Sequence, residues 1–208
     1  GAKVNKKSPG NFGIVNAFSM HPLKSLNVMG DGGMVVTDDE EIASWIKKFR
    51  NHGMINRDEI DCWGRNYRLQ PLQAIVANYG LKKLKNVIKK RNQNAMFLDN
   101  ILSEQTNKVI LPKRRKGYTE TFALYMILCE DRDNLLKFLQ NSKIEAKVHY
   151  PIPLHLQKPS LKQGYKKGDF PVSEEQANKL ITLPIHQYLN KNQLNYMAQK
   201  IIEFYDSK

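Results

Sequence analysis

The sequence predicts a layered α/β or α+β protein. Short apolar runs alternate with helical periodicities along most of the chain, and such a pattern packs as helices against sheet. Apolar residues make up 41% of the 208 positions, enough to build a sizeable core. One unusually long helical pattern stands between two such regions. No internal repeat or low-complexity tract interrupts the alternation.

Residues 1–10 mix lysines with Ser8, Pro9 and Gly10 and read as an irregular loop. Gly13 to Met20 contains Ile14, Val15, Ala17 and Phe18, which predicts a short buried strand. Gly30-Asp31-Gly32-Gly33 predicts a tight turn, and Met34-Val35-Val36-Thr37 a second strand. Thr37-Asp38-Asp39-Glu40 has the spacing of a capping box. Ile42, Trp45, Ile46 and Phe49 then recur at helical spacing, and Gly53 is expected to end that helix. Residues 54–69 are polar and irregular. From Pro71 the apolar spacing predicts a helix running to Leu102, with Gly80 as a possible kink, long enough to link two domains.

After Pro112 the texture changes. Phe122 to Leu128 predicts a strand, Asp131 to Asn141 a helix facing inward through Leu135, Leu136 and Leu139, and Ile144 to Tyr150 an alternating strand. Pro151, Pro153, Pro159 and Pro171 mark a long loop, and Ser173 is placed to cap a short helix. Leu194, Met197, Ala198, Ile201, Ile202 and Tyr205 define one face of a final helix.

Charge and cysteine usage narrow the function classes. The net charge is +13, but the lysines are spread along the chain, and the densest run, Lys113-Arg114-Arg115-Lys116, lacks interleaved aromatics. This reads as a solvated surface, and no nucleic-acid partner is expected. No apolar stretch approaches the length of a membrane span, and no secretory leader is visible behind Gly1-Ala2-Lys3. Cys62 and Cys129 are too few for a disulfide framework, which fits a reducing cytoplasm. Neither cysteine has metal-ligand spacing to a histidine, so no metal site is expected.

The chemistry-bearing residues begin at Phe18-Ser19-Met20-His21-Pro22-Leu23-Lys24. Ser19 places a hydroxyl near a strand end, and Lys24 follows in the loop. A lysine amine attacks an aldehyde only while neutral, which burial or a nearby cation promotes. Alone, each feature also has a plain structural reading. Ser19 can satisfy a strand-end backbone group, Asn66 can be a turn residue, and Tyr150 can be half-buried packing.

The segments together resemble the DegT/DnrJ/StrS family of sugar aminotransferases. The resemblance lies in Ser19, Lys24 and Gly30-Asp31-Gly32-Gly33, then Arg50-Asn51-His52-Gly53, then Gly64-Arg65-Asn66-Tyr67-Arg68-Leu69 with Leu72-Gln73-Ala74. It continues in Val148-His149-Tyr150-Pro151-Ile152-Pro153-Leu154-His155-Leu156-Gln157 and Leu183-Pro184-Ile185, in the same order over essentially the whole chain. It implies an aspartate-aminotransferase-like fold dependent on pyridoxal 5′-phosphate (PLP). Residues 1–80 would be the rear of the large cofactor domain, and 81–208 a small α+β domain including the linking helix.

At matching positions Lys24 would form the Schiff base and shuttle the proton. Ser19 would bond the cofactor phosphate, and Asn66 would reach that phosphate from a neighbouring subunit. Arg68, His149 and Tyr150 would line the substrate side. The implied reaction moves an amino group from a donor, expected to be glutamate, to a keto group on a nucleotide-linked sugar, in two half-reactions at one site. The implied assembly is a homodimer with shared active sites. Family members carry about as much chain again before the position of Gly1, including the aromatic that stacks on the cofactor and the acid that pairs with its ring nitrogen. The 208 residues alone are therefore expected not to bind PLP productively. The rival expectation is a truncated, non-catalytic relative that only dimerises or scaffolds.

Overall fold

The computed structural model describes residues 1–207, and these fall into two compact units. One comprises Gly1–Lys89 with Arg115–Thr121, the other Lys90–Arg114 with residues 122–207.

The first unit opens with β1 (Lys3–Val4), followed by a hairpin of β2 (Val15–Ser19) and β3 (Gly33–Thr37). β2 and β3 run antiparallel with Val15 opposite Thr37 and Ser19 opposite Gly33. The strand expected over Gly13 to Met20 thus forms, but it is not buried: Val15, Ala17, Phe18 and Ser19 are all exposed. A two-stranded ribbon has no neighbouring strand to cover its edges and little to cover its faces.

Helix α1 (Glu40–Phe49) follows. Its cap is Asp39, whose carboxylate accepts from Ile42 N at 2.9 Å, rather than Thr37. The Thr37 hydroxyl instead donates to Ile14 O at 2.7 Å and accepts from Asp39 N at 3.1 Å, tying the strand end to the helix start. The helix closes at Arg50, ahead of Gly53.

Helix α2 (Pro71–Gln105) is continuous for 35 residues and passes through Gly80 without a break. Its residues to Lys89 belong to the first unit and those from Lys90 to the second. β4 (Val109–Ile110) follows in the second unit, and β5 (Tyr118–Thr119) returns to the first to pair with β1.

The second unit is organised around β6 (Tyr125–Cys129), α3 (Arg132–Asn141), α4 (Lys158–Lys162), α5 (Pro171–Lys179), β7 (Leu180–Leu183) and α6 (Lys191–Asp206). The sheet order is β4-β6-β7, antiparallel throughout. Alternation along β6 buries Tyr125, Ile127 and Cys129. Ala95, Leu98 and Leu102 of α2, Leu135 and Leu139 of α3, and Leu194, Met197, Ala198, Ile201 and Phe204 of α6 complete one continuous core. α6 starts at a capping box in which Asn190 and Gln193 each accept from the other's backbone N–H.

Two expectations are corrected in this unit. Ile144 to Tyr150 is not a strand. Its backbone meets β7 only at Lys147, which exchanges hydrogen bonds with Thr182 at 2.8 and 3.1 Å before the chain departs. Ser173 lies inside α5 rather than at its cap, because Pro171 takes the first turn, where its missing N–H costs nothing.

The core has a chemical consequence. Burial pushes the Cys129 thiol up to about 11, and that thiol donates to Lys179 O at 3.4 Å. Cys62 is partly exposed. In the folded chain at neutral pH a disulfide reagent is expected to titrate Cys62 alone, and both thiols after denaturation. Two fast-reacting thiols in the native chain would contradict this packing.

Candidate functional site

The first unit buries little: among its described residues the buried hydrophobics are Met20, Val28 and Ile88. Two of these three close the base of one loop. Met20 N donates to Gly32 O at 2.8 Å, and Val28 N to Met20 O at 3.2 Å. The excursion from His21 to Asn27, which carries Lys24, therefore stands on a fixed apolar base. The first turns of α2 brace it. Gln73 Nε2 donates to Asp31 O at 2.9 Å, and a Cβ added at Gly80 would lie 3.1 Å from Leu26 Cδ1.

His21 joins the hydroxyl to the lysine. Its N–H donates to Ser19 Oγ at 3.4 Å, its carbonyl accepts from Lys24 N at 2.8 Å, and its Nδ1 accepts from Leu23 N at 3.2 Å. Nδ1 therefore carries no hydrogen. Opposite Ser19 in the hairpin stands Gly33, where a Cβ would come 3.0 Å from Phe18 O. The absence of a side chain there leaves the Ser19 end of the ribbon open. The side chains of Ser19 and Lys24 are both exposed.

Asn66 and Arg68 sit on a second, tightly built turn. Arg65 N donates to Phe49 O at 2.7 Å, His52 N to Arg65 O at 2.9 Å, and Tyr67 N to Arg50 O at 2.8 Å. Gly53, at φ +76, and Gly64 make this approach possible. A Cβ on Gly53 would fall 1.6 Å from Cys62 O, and one on Gly64 2.2 Å from Gly53 N. Arg68 Nε donates to Asn66 Oδ1 at 3.0 Å, and Arg68 Nη1 to Asn51 Oδ1 at 3.3 Å. The guanidinium is thus oriented by two amide oxygens while remaining exposed. A cleft of about 1110 Å3 opens beside this turn, lined by Met34, Val36, Ile46, Phe49, Asn66 and Arg68 among others.

His149 and Tyr150 belong to the second unit. His149 Nδ1 lies 3.1 Å from the Thr182 hydroxyl, and Tyr150 is 74% exposed. The structure thus brings Asn66 and Arg68 into direct contact and links Ser19 to Lys24 through His21. Asn51, Gln73 and Thr182 contact Arg68, the Asp31 carbonyl and His149. Asn51 and Gln73 lie within the recognisable segments, but nothing in the sequence pairs them with Arg68 or Asp31.

The model of the DegT/DnrJ/EryC1/StrS aminotransferase family matches residues 1–202. The chain belongs to this family. A pleiotropic regulatory protein of Geobacillus stearothermophilus is 35% identical over 206 residues, covering 99% of this chain and 55% of that protein. The UDP-N-acetyl-3-dehydro-alpha-D-glucosamine 3-aminotransferase of Acidithiobacillus ferrooxidans is 31% identical, with 97% of this chain and 53% of that protein covered. The crystal structure of S. venezuelae DesV in complex with a ketimine intermediate superposes with a TM-score of 0.93 at 29% identity, over 98% of this chain and 54% of that one. The chain spans about half the length of these relatives.

The fold is accordingly part of the aspartate-aminotransferase-like architecture of PLP-dependent sugar aminotransferases. The family's cofactor is PLP. The residues present suit that group: a primary amine and a hydroxyl share one turn, with no side chain facing the hydroxyl across the hairpin. An aldehyde and a phosphate call for that pair of functional groups.

Proposed function

We propose that the protein to which this chain belongs transfers an amino group from a donor, glutamate, to a keto group of a nucleotide-linked sugar. Its product would feed surface polysaccharide or glycoconjugate synthesis in the cytoplasm. The observation that carries this reading is the Ser19–Lys24 turn, built on the buried Met20–Val28 base and braced by Gln73 of α2.

PLP, when bound, supplies an electron sink. The chain's own residues do the rest. Lys24 would hold the cofactor through its ε-amine, with loss of water from the carbonyl, and would shuttle a proton between cofactor and substrate carbons. The Ser19 hydroxyl would hold the phosphate, joined by the Asn66 amide of a second subunit. The Arg68 guanidinium, preset by Asn51 and Asn66, suits the diphosphate of a nucleotide sugar, because its fork of donors is permanently charged. His149 and Tyr150 contact the sugar.

The Lys24 side chain is exposed in this chain, whereas a lysine nucleophile is activated by a desolvated setting or a neighbouring cation. Its desolvation must come from polypeptide that the 208 residues do not include. The half of the relatives' length that this chain does not span is the source we assign, together with a second subunit of a homodimer. Residues 1–80 then form the rear of the cofactor domain, and 81–208 the small domain.

The test supplies the chain with its upstream half, PLP, glutamate and a panel of UDP- and dTDP-linked keto sugars, and follows 2-oxoglutarate release and the aminated sugar by mass spectrometry. Stoichiometric formation of both is expected with at least one sugar. A cofactor-loaded assembly that aminates none of them, with any amino donor, contradicts the reading.

A further inference from the structure

A second histidine arrangement lies in the second unit and has no part in the chemistry above. His155 is buried, and its Nε2 lies 2.9 Å from Glu174 Oε1 on α5. The same carboxylate oxygen accepts from Gly168 N at 2.7 Å. The imidazole packs on Phe170, ring centroids 4.8 Å apart, and Phe170 on Tyr165 at 6.0 Å. The hydrogen bond from His155, followed by that from the Gly168 amide, holds the Glu174 carboxyl below its ordinary range, so it stays an ionised acceptor.

This pair sits at one end of a strap. At the other end the Lys147–Thr182 backbone pair and the His149–Thr182 contact fix the chain to β7. Between the anchors the strap makes no ladder, and Tyr150, Ile152 and Leu154 are exposed at 74%, 50% and 81%. An imidazole and a carboxylate taken out of water cost free energy that a plain apolar contact would avoid. A hydrogen bond of fixed direction, unlike an apolar contact, sets where the strap ends.

We propose that His155 and Glu174 are positioning residues that clamp the 148–154 strap and hold Tyr150 and His149 ready for the sugar substrate. The inference rests on the aminotransferase reading for the identity of that substrate. The clamp itself is a property of this chain.

The experiment measures amide exchange of residues 148–157 and of α6 in the chain alone, and KM and kcat for the keto sugar in the assembly with the upstream half. Variants are Glu174→Ala, Glu174→Gln and His155→Leu. Glu174→Ala and His155→Leu are expected to speed exchange in the strap by about 10-fold, the scale of a lost hydrogen bond to a charged group, with α6 unchanged. Both should raise KM roughly 10-fold while kcat stays within about threefold, since a loosened strap costs orientation of the bound sugar. Glu174→Gln, whose amide oxygen still accepts, should restore most of both effects. Unchanged strap exchange or unchanged KM in Glu174→Ala and His155→Leu overturns the proposal. So does loss of α6 protection in both, which would make the pair a core support. A wild-type assembly that binds no PLP would instead sink the aminotransferase reading, while the exchange measurement still judges the clamp.

Discussion

Lys24→Ala is expected to abolish amine transfer in the assembled enzyme, lowering kcat by about 1,000-fold or more, because in the proposed function one side chain serves as both cofactor anchor and proton carrier. The visible absorbance of lysine-linked PLP should vanish with it. Folding should be untouched: Lys24 is exposed, and its backbone contact to His21 O does not need the side chain. Rate and absorbance measured on the same preparation check both halves of this expectation. A Lys24→Ala enzyme that keeps the absorbance after dialysis would remove Lys24 from its role.

The second large effect concerns where the chain keeps its stability. Tyr125 is fully buried at the centre of the second unit, and its hydroxyl donates to Asp99 Oδ1 at 2.7 Å. Asp99 also receives Arg114 Nε at 2.9 Å and Arg114 Nη2 at 3.1 Å. Tyr125→Ala opens a cavity and removes one partner of this network, so it should cost about 3–5 kcal/mol, a large fraction of the roughly 5–15 kcal/mol a domain has. Met34→Ala, in the exposed hairpin of the first unit, should change the stability of the chain alone by less than about 0.5 kcal/mol. Once the upstream half is present, the same substitution should cost about 2 kcal/mol or more, the value for a buried methionine. Denaturant titrations of the two variants, with and without that half, check the contrast. Equal sensitivity of the two sites in the chain alone would show that the first unit carries a core of its own.

Much of this was legible in the sequence, for identifiable reasons. α2 and α6 declare themselves because a helical stripe persists over many turns, so single misfits such as Gly80 do not erase it. β7 does not, because Leu180–Leu183 is a short apolar run between a helix and Pro184, and such a run suits strand or helix equally. The alternation of Ile144 to Tyr150 suggests a strand, yet it reflects side chains anchored one by one: Ile144 and Ala146 in the core, His149 on Thr182. The apolar residues of β2 are read as buried because composition records what a segment is suited to contact, whether or not the contact is present in this chain.

The candidate site divides along the same line. Ser19, Lys24, Asn66 and Arg68 stand in short, ordered segments that a sequence reveals. The orienting contacts are different: Asn51 to Arg68 spans 17 positions and Gln73 to Asp31 spans 42. Only the folded backbone brings those pairs together. His155 and Glu174 are likewise 19 positions apart and join across a loop whose prolines announce irregularity without its internal bonding.

The most direct measurement on the central claim is chemical trapping. The chain assembled with its upstream half is incubated with PLP, reduced with borohydride, digested and mapped by mass spectrometry. The account predicts a single stoichiometric phosphopyridoxyl group on the peptide containing Lys24, and no such modification when the 208-residue chain is treated without the upstream half. Stoichiometric label on another lysine, or equal labelling of Lys24 in the isolated chain and the assembly, would contradict it.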